Sequence, residues 1–211
     1  MRWIYALKNS KLAYHVYKLN RNDSIIIYEK YWPKNNLLIV LYGTLYAMKI
    51  FKNKKKISTI ILNRNKVFKA HLDHSDSYYK LIALEKSYIT NINIDNVQIK
   101  VPVSKKLLEN VINSYKETIK IYETLNRIIQ ERQTSKRIIQ NIFFILLHFG
   151  LIKNKQIYLP FKLSQKNLSF ISQTSPGRTS KVIKKINQQW QIKHPTKISI
   201  EIKNLLNLTI E

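Results

Sequence analysis

At residue 102 the spacing of the apolar side chains changes. Before it they come in short β-branched and aromatic runs, SIIIYEK, LLIVLY, TLYAMKIF, KISTIIL, KVFKAHL, YYKLIALE, SYITNI and VQIKV, separated by polar turns such as KNKK and DHSD. After it they recur every three or four residues. Short runs of this kind fit strands, and a spacing of three and four fits an amphipathic helix. The chain is therefore expected to be α+β, strands first and helices second. Eight short strands with tight turns close as a barrel or a sandwich. Pro102 ends this region, and Ser104 stands where a long helix needs its N-cap.

From there Leu108, Ile112, Tyr115, Ile119, Tyr122 and Ile129 alternate steps of four and three, with Asn126 in the remaining slot. Such a seam either pairs two copies as a coiled coil, the Asn fixing register, or lays a single helix on the β region. A further helix is predicted over 134–149, TSKRIIQNIFFILLHF, with Gly150 as its C′ residue. Its broad apolar surface makes it the core helix of a separate small domain, with His148 satisfied inside that core.

The segment LSQKNLSFISQTSPGRTSKVIKKI, residues 163–186, has no acidic residue. Ser164 to Ile171 reads as a short helix with Leu163, Leu168 and Ile171 inward; Gln173 and Thr174 make a turn, Ser175 caps, and Pro176 occupies N1. The next helix buries Val182, Ile183 and Ile186 and presents Arg178, Thr179, Lys181, Lys184 and Lys185. Helix, tight turn and basic second helix is the helix-turn-helix plan, whose second helix enters the DNA major groove; two helices of a plain bundle share the same pattern. Ser164, Gln165, Thr174, Ser175, Arg178, Thr179, Lys181, Lys184 and Lys185 are the DNA-binding candidates. QWQIK, HPTKISIEI and NLLNLTI after it fit a small β-wing.

Charge narrows the partners. Thirty-seven Lys and Arg against twelve Asp and Glu give a formal +25, which attracts polyanions. Residues 132–200 hold thirteen Lys and Arg and no acid, so the charge is expected on one domain's surface. Double-stranded DNA suits it; a basic RNA-binding or ribosome-associated protein would suit it too. With no cysteine, disulfides, thiolate chemistry and Cys-ligated iron-sulfur clusters are excluded. Gly43, Gly150 and Gly177 are the only glycines, each read as structural, so neither a phosphate-cradling loop nor a dinucleotide fingerprint exists. His71, Asp73 and His74 read as surface polar residues rather than a metal site, and neither His15 nor His194 has a nucleophile pattern beside it. No catalytic residue is assigned. The N-terminus has no secretory-type apolar core, and IFFILLHFGLI at 142–152 is too short to cross a bilayer, so no membrane partner is expected. The abundant Ile, Asn, Lys and Tyr suggest an AT-rich genome, as in an organelle or a reduced bacterium.

Three stretches carry a resemblance: LLIVLYGTLYAMKIFKNKKKISTIILNRNKVF (37–68), RIIQNIFFILLHFG (137–150) and YLPFKLSQKNLSFISQTSPGRTSKVIKKI (158–186). In that order they resemble the roll hairpin, the first DNA-binding-domain helix and the helix-turn-helix of the cyclic-AMP receptor and FNR (CRP/FNR) superfamily of transcription regulators. Within it the likeness is to the global nitrogen regulator type, in the divergent plastid-encoded branch of red algae. The resemblance implies a β-roll over 1–103, a dimerisation helix over 104–132 and a winged helix-turn-helix over 133–211. It also implies a homodimer on DNA, contact with RNA polymerase, and the plastid stroma or otherwise a bacterial cytoplasm as its place. The chain departs from the family at several points. Where cyclic-nucleotide members carry a Gly-Glu cassette after the residue matching Phe68, Lys69, Ala70 and His71 stand, so no cyclic nucleotide is expected. Where nitrogen regulators place an Arg for 2-oxoglutarate, Ser77 precedes Tyr78 and Tyr79. Lys69, Lys80 and Arg132 are the cationic candidates for such a dicarboxylate, or else solvated surface groups; no cofactor is assigned. Pro176 and Gly177 replace the usual basic start of the recognition helix, which leaves base readout to Ser175, Arg178, Thr179 and Lys181. Gln173 replaces the family's turn glycine, which requires a strained or altered turn.

Overall fold

The computed structural model describes residues 2–10, 12–70, 77–96, 102–153, 156–190 and 199–201. They form two compact units, Met1–Glu123 and Thr124–Glu211.

The first unit opens with helix α1 (Arg2–Asn9) and strand β1 (His15–Leu19), neither of them foreseen from the sequence. Seven strands follow: β2 (Ser24–Tyr28), β3 (Asn36–Tyr42), β4 (Leu45–Phe51), β5 (Lys56–Leu62), β6 (Val67–Phe68), β7 (Ser77–Ala83) and β8 (Ser87–Asn93). They make two antiparallel four-stranded sheets, ordered β1-β8-β3-β6 and β2-β7-β4-β5, which settles sandwich over barrel in the jelly-roll manner. Of KVFKAHL, Val67 and Phe68 are strand, while His71 and Leu72, like VQIKV, lie outside the described residues. The chain passes from one sheet to the other at Gly43, whose φ of +86° is left-handed. A Cβ there would stand 2.2 Å from Ser87 Oγ and 2.7 Å from the Lys86 carbonyl, so only glycine fits. Phe68 and Tyr79 meet edge to face across the two sheets, ring centroids 5.3 Å apart.

The β1-β8-β3-β6 sheet is covered on one face by helices. Trp3, Ala6 and Leu7 of α1 join Leu37, Ile39, Leu41, Val67 and Ile92 in one buried cluster, completed by Leu107 and Val111 of the long helix α2 (Pro102–Ile129). That helix begins at Pro102 itself, so Ser104 is inside it and not its cap; proline is well suited to the first turn, where its missing N–H has no partner to lose. Farther along α2, Ser114 Oγ donates to the Asn65 carbonyl, and Lys66 pairs with Glu117.

In the second unit α3 (Thr134–Phe149) covers the residues predicted for it and buries Ile138, Ile142, Phe144, Ile145, Leu146 and Phe149. Its cap Gly150 is extended, with φ −71°, not left-handed. Glycine is needed there for a different reason: a Cβ would meet the Leu146 carbonyl at 2.2 Å and Ile157 at 2.5 Å. His148 is exposed rather than buried, with its ring centroid 4.5 Å from that of Phe144. Strands β9 (Leu151–Lys153) and β10 (Gln156–Tyr158) come before the helix pair α4 (Gln165–Ile171) and α5 (Pro176–Trp190). Strand β11 (Ser199–Glu201) follows and pairs with β10 to give a sheet ordered β11-β10-β9. The wing is thus built largely from a hairpin that precedes the helix pair. Gln189 and Trp190 of QWQIK are helical, and NLLNLTI lies outside the described residues.

Candidate nucleic-acid interface

Two short helices can present one of them to DNA only if the turn between them is rigid, and here each residue of the turn has a defined partner. Ser164 caps α4, its hydroxyl accepting from the Asn167 N–H at 3.0 Å. Leu168 and Ile171 point inward beside Leu163, all three buried. The α4 helix then closes through Ser172 N–H to the Leu168 carbonyl (2.9 Å) and Gln173 N–H to the Phe170 carbonyl (3.1 Å). Gln173 has φ +48°, the left-handed turn that its replacement of glycine requires. Thr174 N–H returns to the Ser169 carbonyl at 2.9 Å. The Ser175 hydroxyl, at 3.4 Å from the Arg178 N–H, then marks the start of α5 at Pro176.

The α5 helix has two unlike sides. Thr179, Val182, Ile183 and Ile186 follow the i, i+3, i+4, i+7 spacing of one face; Ile186 and Thr179 are buried and the other two half-buried. Opposite them Ser175, Arg178, Lys181, Lys184 and Lys185 are exposed. Thr179 is therefore corrected from a surface reader to a core residue. It is 0% exposed, with its hydroxyl 2.7 Å from that of Thr174 and donating to the Ser175 carbonyl at 3.1 Å. Thr174, Ser164 and Gln165 are half-buried around the turn and the α4 start. Gly177 was read as structurally required, yet a Cβ on it would meet nothing within 4 Å.

One residue that sequence reasoning did not single out belongs to this site. Arg137 of α3 donates from Nε to the Ser172 carbonyl at 2.8 Å, and from its two terminal nitrogens to the carbonyls of Glu131 (2.8 Å) and Gln173 (3.4 Å). Asn141, fully buried one turn on, donates to the Arg137 carbonyl at 3.0 Å. The signal was present: an arginine beside the apolar run IIQNIFFILL, with no acid near it to pair with on its own helix.

The remaining candidates fall elsewhere. On α2 within the first unit, Leu107, Val111, Ser114, Thr118 and Ile121 are buried, while Ile112, Tyr115, Ile119 and Tyr122 are 52%, 40%, 42% and 42% exposed. Leu108, Asn126 and Ile129, from the same seam, are half-buried. Lys69 is exposed just after β6. Lys80 shares the outward side of β7 with Tyr78 and Ile82, opposite the buried Tyr79 and Leu81. Arg132 is exposed in the second unit. Among the described residues no three His, Asp or Glu gather as a metal site, and no helix is long and apolar enough to cross a membrane; His71, Asp73, His74 and His194 lie outside them.

No protein-family model matches the chain. It is similar to the inferred HTH-type transcriptional regulator ycf28 of the red alga Porphyra purpurea, 24% identical over 189 residues that cover 87% of this chain and 76% of that protein. Among solved structures, a cyclic nucleotide-binding domain containing protein from Listeria monocytogenes superposes with a TM-score of 0.70 at 14% identity, covering 96% of each chain. A CRP/FNR-family transcriptional regulator from Thermus thermophilus gives 0.65 at 13% identity, covering 91% of this chain and 96% of that one. The chain has the fold of the CRP/FNR regulators, a jelly-roll-like first unit joined through a long helix to a helix-turn-helix unit.

Proposed function

We propose that this protein is a transcription regulator that binds double-stranded DNA sequence-specifically as a homodimer. The observation that carries the proposal is the two-sidedness of α5 behind a fixed turn, with Arg178, Lys181, Lys184 and Lys185 on the open side and Thr179 and Ile186 buried. Arginine and lysine side chains on such a face reach guanine O6 and N7, and lysines at the groove edge neutralise phosphates. The exposed stripe Ile112, Tyr115, Ile119 and Tyr122 is the dimer seam, since α2 already spends its other face on its own unit. A dimer would set two α5 helices about one DNA turn apart, roughly 34 Å, over a pseudo-palindromic site. RNA polymerase is the partner such a regulator would address, and the red-algal relative supports the plastid as its compartment.

The test is selection of bound fragments from a random duplex pool at about 150 mM salt, where phosphate-only binding is weakened. Enrichment of a two-fold symmetric motif is expected, and Arg178→Ala with Lys181→Ala should erase the preference while leaving the dimer intact. A pool that stays random while binding merely tracks ionic strength would end the proposal.

A further inference from the structure

The turn between α4 and α5 contains a contradiction that Arg137 resolves. Gln173 adopts φ +48°, a conformation in which a Cβ crowds the following carbonyl and which glycine adopts freely. The turn's own bonds, Gln173 N–H to the Phe170 carbonyl and Thr174 N–H to the Ser169 carbonyl, hold its amides, whereas its carbonyls are held from outside. The Ser172 and Gln173 carbonyls, the two that flank the left-handed residue, both accept from the Arg137 guanidinium, and the same group binds the Glu131 carbonyl on the other side. A planar guanidinium has five donors in a fixed fork, so it can serve three carbonyls at once in one geometry; a lysine ammonium on its flexible stem cannot reproduce that fork. Arg137 is itself held, since the buried Asn141 donates to its carbonyl.

We propose that Arg137 is the positioning residue of the recognition helix: it clamps the left-handed turn at Gln173 and so fixes where α5 starts relative to α3, a task that a turn glycine would perform by conformational freedom alone. The role rests on the reading that α5 meets DNA. It implies an exchange that a merely stabilising arginine would not show, because once residue 173 is glycine, the clamp becomes largely dispensable.

The experiment uses the full chain and four variants, Arg137→Met, Arg137→Lys, Gln173→Gly and Arg137→Met with Gln173→Gly. Each is measured for affinity to the duplex selected by the wild type, for affinity to an unrelated duplex of equal length, and for amide exchange at Ser172, Gln173 and Thr174. Arg137→Met and Arg137→Lys should each weaken the selected duplex by about tenfold or more, the scale of a lost charge-assisted bond. The unrelated duplex should change by less than about twofold, since phosphate attraction does not need an exact pose. Exchange at the three amides should quicken by a similar factor, and adding Gln173→Gly to Arg137→Met should recover most of both losses. Equal loss on both duplexes with a lowered melting temperature would reduce Arg137 to a stabilising residue, and absence of rescue by glycine would break the link to the turn; either outcome overturns the proposal. A wild type that selects no duplex overturns the DNA reading instead. The exchange data then decide on their own whether Arg137 holds the turn.

Discussion

Tyr46 is 1% exposed, and burial pushes its hydroxyl up to about 12, with the neighbouring Ser58 drawing it partly back. A phenol that ionises near 10 in the unfolded chain but near 12 in the fold leaves stability intact below about pH 10. Above that the unfolded state loses its proton first, so stability falls by roughly 1.4 kcal/mol per pH unit until the folded value is reached. Unfolding by urea at about pH 9 and about pH 11 should show this decline, and Tyr46→Phe should flatten it. Thr179 makes a different point. Replacing it by Val should cost on the order of 1 kcal/mol in stability by removing the hydroxyl that meets Thr174 and Ser175. The selected DNA motif should be unchanged, because the side chain is buried in the unit's own core. Its burial was legible in the sequence, three, four and seven residues before Val182, Ile183 and Ile186, but a hydroxyl in a basic segment read more readily as a surface contact. Arg137 was harder to find, since its three acceptors are backbone carbonyls, which side-chain patterns do not reveal.

Among the elements, α2 carries the sharpest expectation. An exposed Ile and Tyr stripe on a helix whose other face is already buried is a surface that water leaves unsatisfied, and joining it to a second copy removes apolar area worth about 25 cal/mol per Å². Ile119→Glu should therefore yield a monomer by light scattering with the melting of the first unit preserved, whereas a dimer that survives would place the seam elsewhere. Asn126→Leu should alter the oligomeric state through the same seam. Long periodic elements such as α3 were readable because many positions vote for one phase. Short ones were not. The α1 helix offers just two turns, Trp3 and Leu7 marking its buried face, and β1 is exposed at four of its five residues, so neither alternation nor a long apolar run announces it. The β9–β10 hairpin is likewise three residues a side and without a fully buried position. Its β10 strand also pairs with β11, more than forty residues on.

For the molecule as a whole, the expectation that one domain holds the charge is wrong. Residues 1–123 contain 22 Lys and Arg against 9 Asp and Glu, a formal +13, and residues 124–211 contain 15 against 3, a formal +12. The acid-free stretch was conspicuous because it lacked anions, although the first unit has more cations. If about six phosphates are neutralised in the bound state, affinity for the selected duplex should fall on the order of a thousandfold between 50 and 200 mM salt. Lys184→Ala with Lys185→Ala should reduce the slope of log affinity against log salt by about two without changing the preferred sequence. Another property runs through the whole chain. Among the described residues Asn22, Lys54, Asn65 and Gln173 are left-handed, and Gly43 is the only glycine that joins them. Glycine codons begin with two guanines, whereas lysine and asparagine are written largely in adenine and thymine. These tight corners are thus filled mostly by residues that an AT-rich coding sequence would favour. Lys54 and Gln173 are the two of these corners held by neither Asn nor Gly, so Lys54→Gly and Gln173→Gly are each expected to raise the urea midpoint of unfolding.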